Sequence, residues 1–191
     1  ILEAPHDTDE RSIARLRQLY ERVRGGLGFN RSAAEFGAFP TDPYSHTPAH
    51  AGAQQPGMTG QVKEELLTRW AELGVTVEAG SIRFGCELLD AREFRREPGL
   101  LGTIDVHGRE IQVEVPVAAA AFSLCRVPIV VHAVGGDPSI EITRADGTRL
   151  VISGAVLDEV SSRLVFDHTG EITRLDVHVR RADVHESERR R

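Results

Sequence analysis

Residues 42–61, DPYSHTPAHAGAQQPGMTGQ, gather more chemistry-bearing side chains than any other stretch of the chain. They include Asp42, Tyr44, His46, His50, Gln54 and Gln55, with three prolines, three glycines and almost nothing that could form a core. Polar loops of this length are uncommon inside compact domains and are usually either functional or disordered. Pro43, Pro48 and Pro56 each fix a backbone angle, so the expectation is an ordered loop. Tyr44, His46, His50, Gln54 and Gln55 suit recognition of sugar hydroxyls. Such side chains both donate and accept hydrogen bonds, and a flat tyrosine face can stack on a ring. The plainer alternative is a loop held together by its own polar groups. Cleavage of a glycosidic bond would need two flanking carboxylates. Asp42 has no evident capping role and is the first choice. Glu64 is the second, although acidic residues in the first turn of a helix, as Glu64 and Glu65 would be, are favoured by the helix dipole in any case.

Asp42, His46 and His50 recur every four residues, and two imidazoles with a carboxylate form a competent metal set. Pro43 and Pro48 forbid the regular helix that would align them, so no metal and no other cofactor is assigned. Pro56-Gly57-Met58-Thr59-Gly60 reads as a turn and a cap, since the GxxxxGK[ST] spacing of a phosphate-binding loop is absent. There is no GxSxG nucleophile motif. Of the remaining histidines, His107 and His168 fall in turns. His132, in an apolar strand, reads as a satisfied core residue. His178, between Val177 and Val179, reads as facing solvent.

The elements that must position these residues change character near residue 74. Asp7-Thr8 can cap a first helix, along which Ile13, Leu16, Leu19 or Tyr20, and Val23 recur at helical spacing until Gly25-Gly26. Ser32 to Glu35 matches a capping box and opens a short turn. A second helix is expected from about Gly60 to Leu73, with Thr59 as N-cap; Val62, Leu66, Trp70 and Leu73 form its apolar stripe, and Gly74 stops it. From Val75 onward, apolar and polar residues alternate in short segments. The expected strands are Val75–Val77, Ser81–Phe84, Gly102–Val106, Glu110–Val115, Ala120–Cys125, Ile129–Val134, Ile140–Arg144, Arg149–Ile152, Arg163–Phe166 and Ile172–Val179. His107-Gly108, Asp146-Gly147 and Asp167 to Gly170 mark hairpin turns. These imply an antiparallel meander closing into a sandwich or barrel rather than βαβ units. The expected class is therefore α+β: a helical segment over 1–74 containing the polar loop 40–58, an antiparallel β domain over 75–185, and a charged tail at 186–191.

Composition narrows the partners. A net charge of −6 argues against nucleic acid, because phosphate binding needs a basic surface. The run Pro116 to Val134 is interrupted by Arg126, Pro128 and His132 and is too short to span a membrane. Cys86 and Cys125 sit among apolar neighbours and read as buried free thiols rather than a disulfide. No signal peptide is visible, which favours the cytoplasm slightly. The chain begins at Ile1 rather than Met and reads as a piece of something longer.

The run EFGAFPTDPYSHTPAHAGAQQPGMTGQVKEELLTRWAELGV (residues 35–75) resembles a segment of large bacterial proteins of the glycoside-hydrolase type. FSLCRVPIVVH (122–132) resembles them more loosely. In those proteins an (α/α) helical barrel is followed by a C-terminal β-sandwich. The resemblance covers about a quarter of the chain. It implies the C-terminal portion of a carbohydrate-active protein: the last barrel helices, one active-site loop and the β domain, with a carbohydrate ligand and a missing N-terminal catalytic domain or self-association as partners. The isolated chain is then expected to show little or no turnover. Two alternatives stay open: a non-catalytic binding or scaffolding module, and a small metal-dependent enzyme using Asp42, His46 and His50.

Overall fold

The computed structural model of the chain describes residues 10–26 and 59–184. The chain divides into two units, Ile1–Ala71 and Glu72–Arg191. In the first, helix α1 spans Glu10–Gly26. Ile13, Leu16 and Tyr20 are half-buried while Leu19 is exposed, so Tyr20 rather than Leu19 continues the stripe. Helix α2 spans Thr59–Glu72. Of its expected stripe, Leu66 and Trp70 are exposed and Leu73 is half-buried, while the Val62 side chain lies outside the described set. No described helix is long and apolar enough to cross a membrane.

Gly74, in the second unit, is the stop after α2. Its φ of 81° is a left-handed conformation that glycine adopts without steric cost. A Cβ here would also run into the Gly85 carbonyl oxygen. Strands β1 (Val75–Glu78) and β2 (Ser81–Phe84) form a hairpin, and β3 (Gly99–Ile104) and β4 (Glu110–Val115) form another. The main sheet comprises β5 (Ala119–Leu124), β6 (Val127–Val134), β7 (Ser139–Arg144), β8 (Arg149–Ser153) and β9 (Ile172–Arg180), in the order β5-β6-β9-β7-β8. Helix α3 spans Glu159–Phe166 between β8 and β9.

The class is α+β with a β-rich unit, as the alternation predicts. No described sheet closes into a barrel. Three details depart from the sequence expectation. First, Arg163–Phe166 is not a strand but the end of α3. Asp158 caps that helix by accepting from the Ser161 backbone N–H at 2.9 Å. Its buried face includes Ser161 and Ser162 beside Val165, so polar letters occupy core positions and hide the helical period. The Ser162 hydroxyl accepts from Ile82 N–H at 2.9 Å and donates to the Leu157 carbonyl at 3.1 Å, which makes it tolerable in the core.

Second, the sheet is mixed rather than a meander. β9 inserts between β6 and β7, parallel to β6 and antiparallel to β7. β7 is also antiparallel to β8, so β8-α3-β9 is a βαβ crossover of the kind that the hairpin signals excluded. The linker Gly135–Pro138 lets β6 and β7 stand one strand apart, a gap of roughly 10 Å. Third, β5 and β6 meet in a two-residue turn, with Leu124 opposite Val127. Cys125 (φ 49°) and Arg126 (φ 63°) both take the left-handed conformation such turns require. No glycine marks this turn in the sequence. It leaves Cys125 only half-buried, whereas Cys86 is buried.

One face of the main sheet carries the larger core. Ile129 and Val131 of β6, Ile140 and Ile142 of β7, and Leu175, Val177 and Val179 of β9 pack there with Ile82, Phe84, Leu89, Leu157 and Val165. The opposite face has a second, smaller core. Val113 and Val115 of β4 pack there with Ala119 and Val130, joined by Leu101, Ile111 and Ala121. That cluster draws only on β5 and β6 of the main sheet, so the β9 and β7 part of this face carries polar groups instead.

Candidate functional site

β9 reads Ile-Thr-Arg-Leu-Asp-Val-His-Val-Arg, and a strand sends alternate side chains to opposite faces. Leu175, Val177 and Val179 go to the core, which puts Arg174, Asp176 and His178 together on the other face. β6 follows the same rule. Ile129 and Val131 point to the core, and His132 points with Val130 to the face of β9's polar residues. The parallel register sets His132 directly beside His178. Their rings stack, with centroids 4.9 Å apart and planes 16° from parallel.

Asp176 joins these groups into a network. Its Oδ1 receives His132 Nε2 at 2.8 Å and Arg174 Nη2 at 2.6 Å, while Oδ2 receives Arg174 Nε at 2.6 Å. The guanidinium therefore grips the carboxylate with two parallel bonds, the strongest geometry for such a pair. Burial works against ionisation of Asp176. The bonds from His132 and Arg174, with the Arg174 charge, outweigh it and hold the carboxyl down at about 2. Hydrogen bonding to Asp176 raises Arg174 in turn; burial opposes this, and the charges of Asp176, Glu141 and Glu114 add to it. An ionised carboxylate only accepts, so Nε2 of His132 carries the hydrogen, and in the neutral ring Nδ1 is the acceptor. On β7, Glu141 stands beside Asp176 in register and accepts from Arg149 Nη1 of β8 at 3.0 Å.

The result is a row of planar polar groups, His178, His132, Asp176, Arg174 and Glu141, fixed on a rigid sheet. The Asp176 and His132 side chains are 13% and 19% exposed, and Arg174 reaches 31%, so the row is partly sheltered but still open to a ligand. It offers donors from Arg174, acceptors from Glu141, and rings that can do either. Among the described residues, no group of three or more His, Cys, Asp or Glu is placed to hold a metal.

Asp42, Tyr44, His46, His50, Gln54 and Gln55 lie outside the described residues. So do the Ser32 to Glu35 capping box and the charged tail. Glu64 lies within α2, and its side chain is likewise outside the described set. His107 and His168 do fall in turns, the latter with φ 53°. His132 is satisfied, as expected, but on the polar face rather than in the core. His178 shares that face half-buried against His132 instead of standing in solvent. The signal for the β9 side of the site was present in the alternation of Arg174, Asp176 and His178. The His132–Asp176 bond spans 44 residues and depends on a parallel pairing that no local pattern encodes.

No protein-family model matches this sequence, and no curated protein matches it.

Proposed function

We propose that this chain is the β-rich, supporting part of a carbohydrate-active, glycoside-hydrolase-like protein, and that it meets a polyhydroxylated ligand with preoriented polar side chains. The observation that carries this reading is the Asp176 network. It presents a guanidinium, an ionised carboxylate and two imidazoles in fixed positions on a part of a sheet face that no described residue covers. Sugar hydroxyls need neighbouring donors and acceptors, and groups already held in place lose little freedom on binding. The scarcity of aromatic residues, 5% of the chain, fits polar recognition better than stacking platforms. In the same reading Tyr44, His46, His50, Gln54 and Gln55 contribute further sugar contacts, with Asp42 and Glu64 as the carboxylates for cleavage once the rest of the protein is present.

A second reading is a binding or scaffolding module without turnover. One feature favours it: Asp176 Oδ1 is committed to His132 Nε2 and Arg174 Nη2, and Oδ2 to Arg174 Nε, which builds a rigid recognition surface. The test is a melting-temperature screen of the whole chain against mono- and oligosaccharides, with and without EDTA. A sugar-specific rise that Asp176→Asn, His46→Ala or Tyr44→Ala abolishes supports the sugar reading. No rise with any sugar, for the full-length protein as well as for this chain, leaves scaffolding as the better account. A fall with EDTA alone supports metal held by Asp42, His46 and His50.

A further inference from the structure

We infer that β8 is a self-association edge, and that two copies of this chain join their five-stranded sheets through it about a two-fold axis. β8 is the last strand of the sheet, bonded to β7 on one side only among the described residues. Both sheet edges are closed at one end: Arg95 exchanges backbone hydrogen bonds with Ala118 and Ala119 at the start of β5, and just past β8 the Ala155 carbonyl accepts from Phe84 N–H while Leu157 N–H donates to the Ile82 carbonyl, which leaves Arg149–Ser153 as the open stretch among the described residues.

The parity of the ladder shows which groups point outward. Arg144 N–H bonds the Thr148 carbonyl, and Gly154 N–H bonds the Pro138 carbonyl. In an antiparallel pair the bonding residues alternate. Residues 148, 150, 152 and 154 therefore face β7, and Arg149, Val151 and Ser153 direct their N–H and C=O groups away from the sheet. Natural sheets usually blunt such an edge with proline, lysine or a bulge. The strand Arg-Leu-Val-Ile-Ser has no proline or lysine, and its five pairs with β7 run without a register shift. Its apolar side chains stay exposed, Leu150 at 47% and Val151 at 63%.

A second copy of the same strand fits this edge. Antiparallel pairing centred on Val151 sets Val151 against its own counterpart, Arg149 against Ser153, and Leu150 against Ile152. Every outward-pointing residue then meets another outward-pointing residue, giving about six new backbone hydrogen bonds. A centre on residue 150 or 152 keeps this parity but aligns fewer residues of the strand, whereas a centre midway between two residues would oppose inward-facing to outward-facing groups and form none. Like charges do not meet: the two Arg149 side chains lie four residues apart along the strand direction, about 13 Å. Each Arg149 is already tied to Glu141 of its own sheet. Leu150, on the core face, gains the partner's Ile152 as a cover. Such two-fold contacts use one surface twice and close on themselves, which stops edge-to-edge growth after a dimer.

Sedimentation velocity of the whole chain over a concentration series tests this. The expected result is a concentration-dependent dimer. Val151→Lys should weaken it at least tenfold, which corresponds to about 1.4 kcal/mol. Val151→Pro should do the same, since residue 151 gives no N–H to β7 and an edge proline is tolerated there. Leu100→Lys, at an equally exposed apolar position on β3 (59%), should leave the dimer unchanged. Val151→Cys in a Cys125→Ser background should give a dithiothreitol-sensitive linked dimer under mild oxidation, because directly opposite residues stand about 5.5 Å apart at Cα. A monomer at every concentration overturns the inference. So does a dimer that survives both Val151 variants, or one that Leu100→Lys disrupts equally. Circular dichroism of each variant confirms that the fold is retained.

Discussion

Replacing Asp176 by asparagine keeps the shape of the side chain but removes the charge that binds Arg174 and His132 together. Two readings of the same network give the expected cost. The carboxyl drops from its ordinary 3.8 to about 2 in the folded chain, which corresponds to roughly 2 kcal/mol of stability near pH 7. The three charge-assisted bonds at 2.6 to 2.8 Å would each contribute about 1.5 kcal/mol or more if fully sheltered. The 31% exposure of Arg174 and the desolvation of the pair reduce that sum, and the two readings meet near 2 kcal/mol. The pH dependence has a fixed sign. A carboxyl held below its unfolded value adds stability that is fully present above that value and disappears as pH falls through the folded one. The advantage of wild type over Asp176→Asn should therefore be level from about pH 7 to 5, drop to about half near pH 3, and vanish below about pH 2. Urea unfolding of both proteins at several pH values measures this directly. A difference under about 0.5 kcal/mol at neutral pH, or one that stays constant on acidification, would refute the network as an electrostatic unit.

Further perturbations test the scaffold. Ser162→Ala leaves the Ile82 N–H without its buried acceptor and should cost about 1–3 kcal/mol by urea unfolding, although it removes only one oxygen. Gly74→Ala and Gly108→Ala both place a side chain at φ 81°. The first would also drive a methyl into Gly85, while the second opens into space; Gly74→Ala should therefore lower the melting temperature far more than the roughly 1 kcal/mol expected at Gly108. Asp158→Ala should cost about 1 kcal/mol through lost capping of α3, read from the same unfolding curves.

How far the sequence carries follows from the range of each interaction. Turns are local. Gly108 and Gly147 both take positive φ between the strands they were expected to join, and the Asp146 carboxylate binds Thr148 N–H at 2.9 Å within that turn. Strand faces are local too, and the alternation along β9 sorts Leu175, Val177 and Val179 from Arg174, Asp176 and His178. α3 escaped because a short run such as Ser-Ser-Arg-Leu-Val-Phe satisfies either period, and the hydrogen bonds that bury Ser162 come from residues 82 and 157. The parallel pairing of β6 with β9 escaped because it joins strands separated by β7, β8 and α3. The His132–Asp176–Arg174 site escaped with it: each residue's face was readable, but their meeting was not. The segment from Asp42 to Gln55 still owes its candidacy to residue types and spacing.

The most direct test of the proposed role follows the imidazole resonances of His132 and His178 by NMR while the whole chain is titrated with a sugar that raises its melting temperature. The account predicts saturable shifts of both rings at the same sugar concentration, lost in Asp176→Asn while the fold persists. A sugar that stabilises the chain yet leaves both rings unmoved would contradict it.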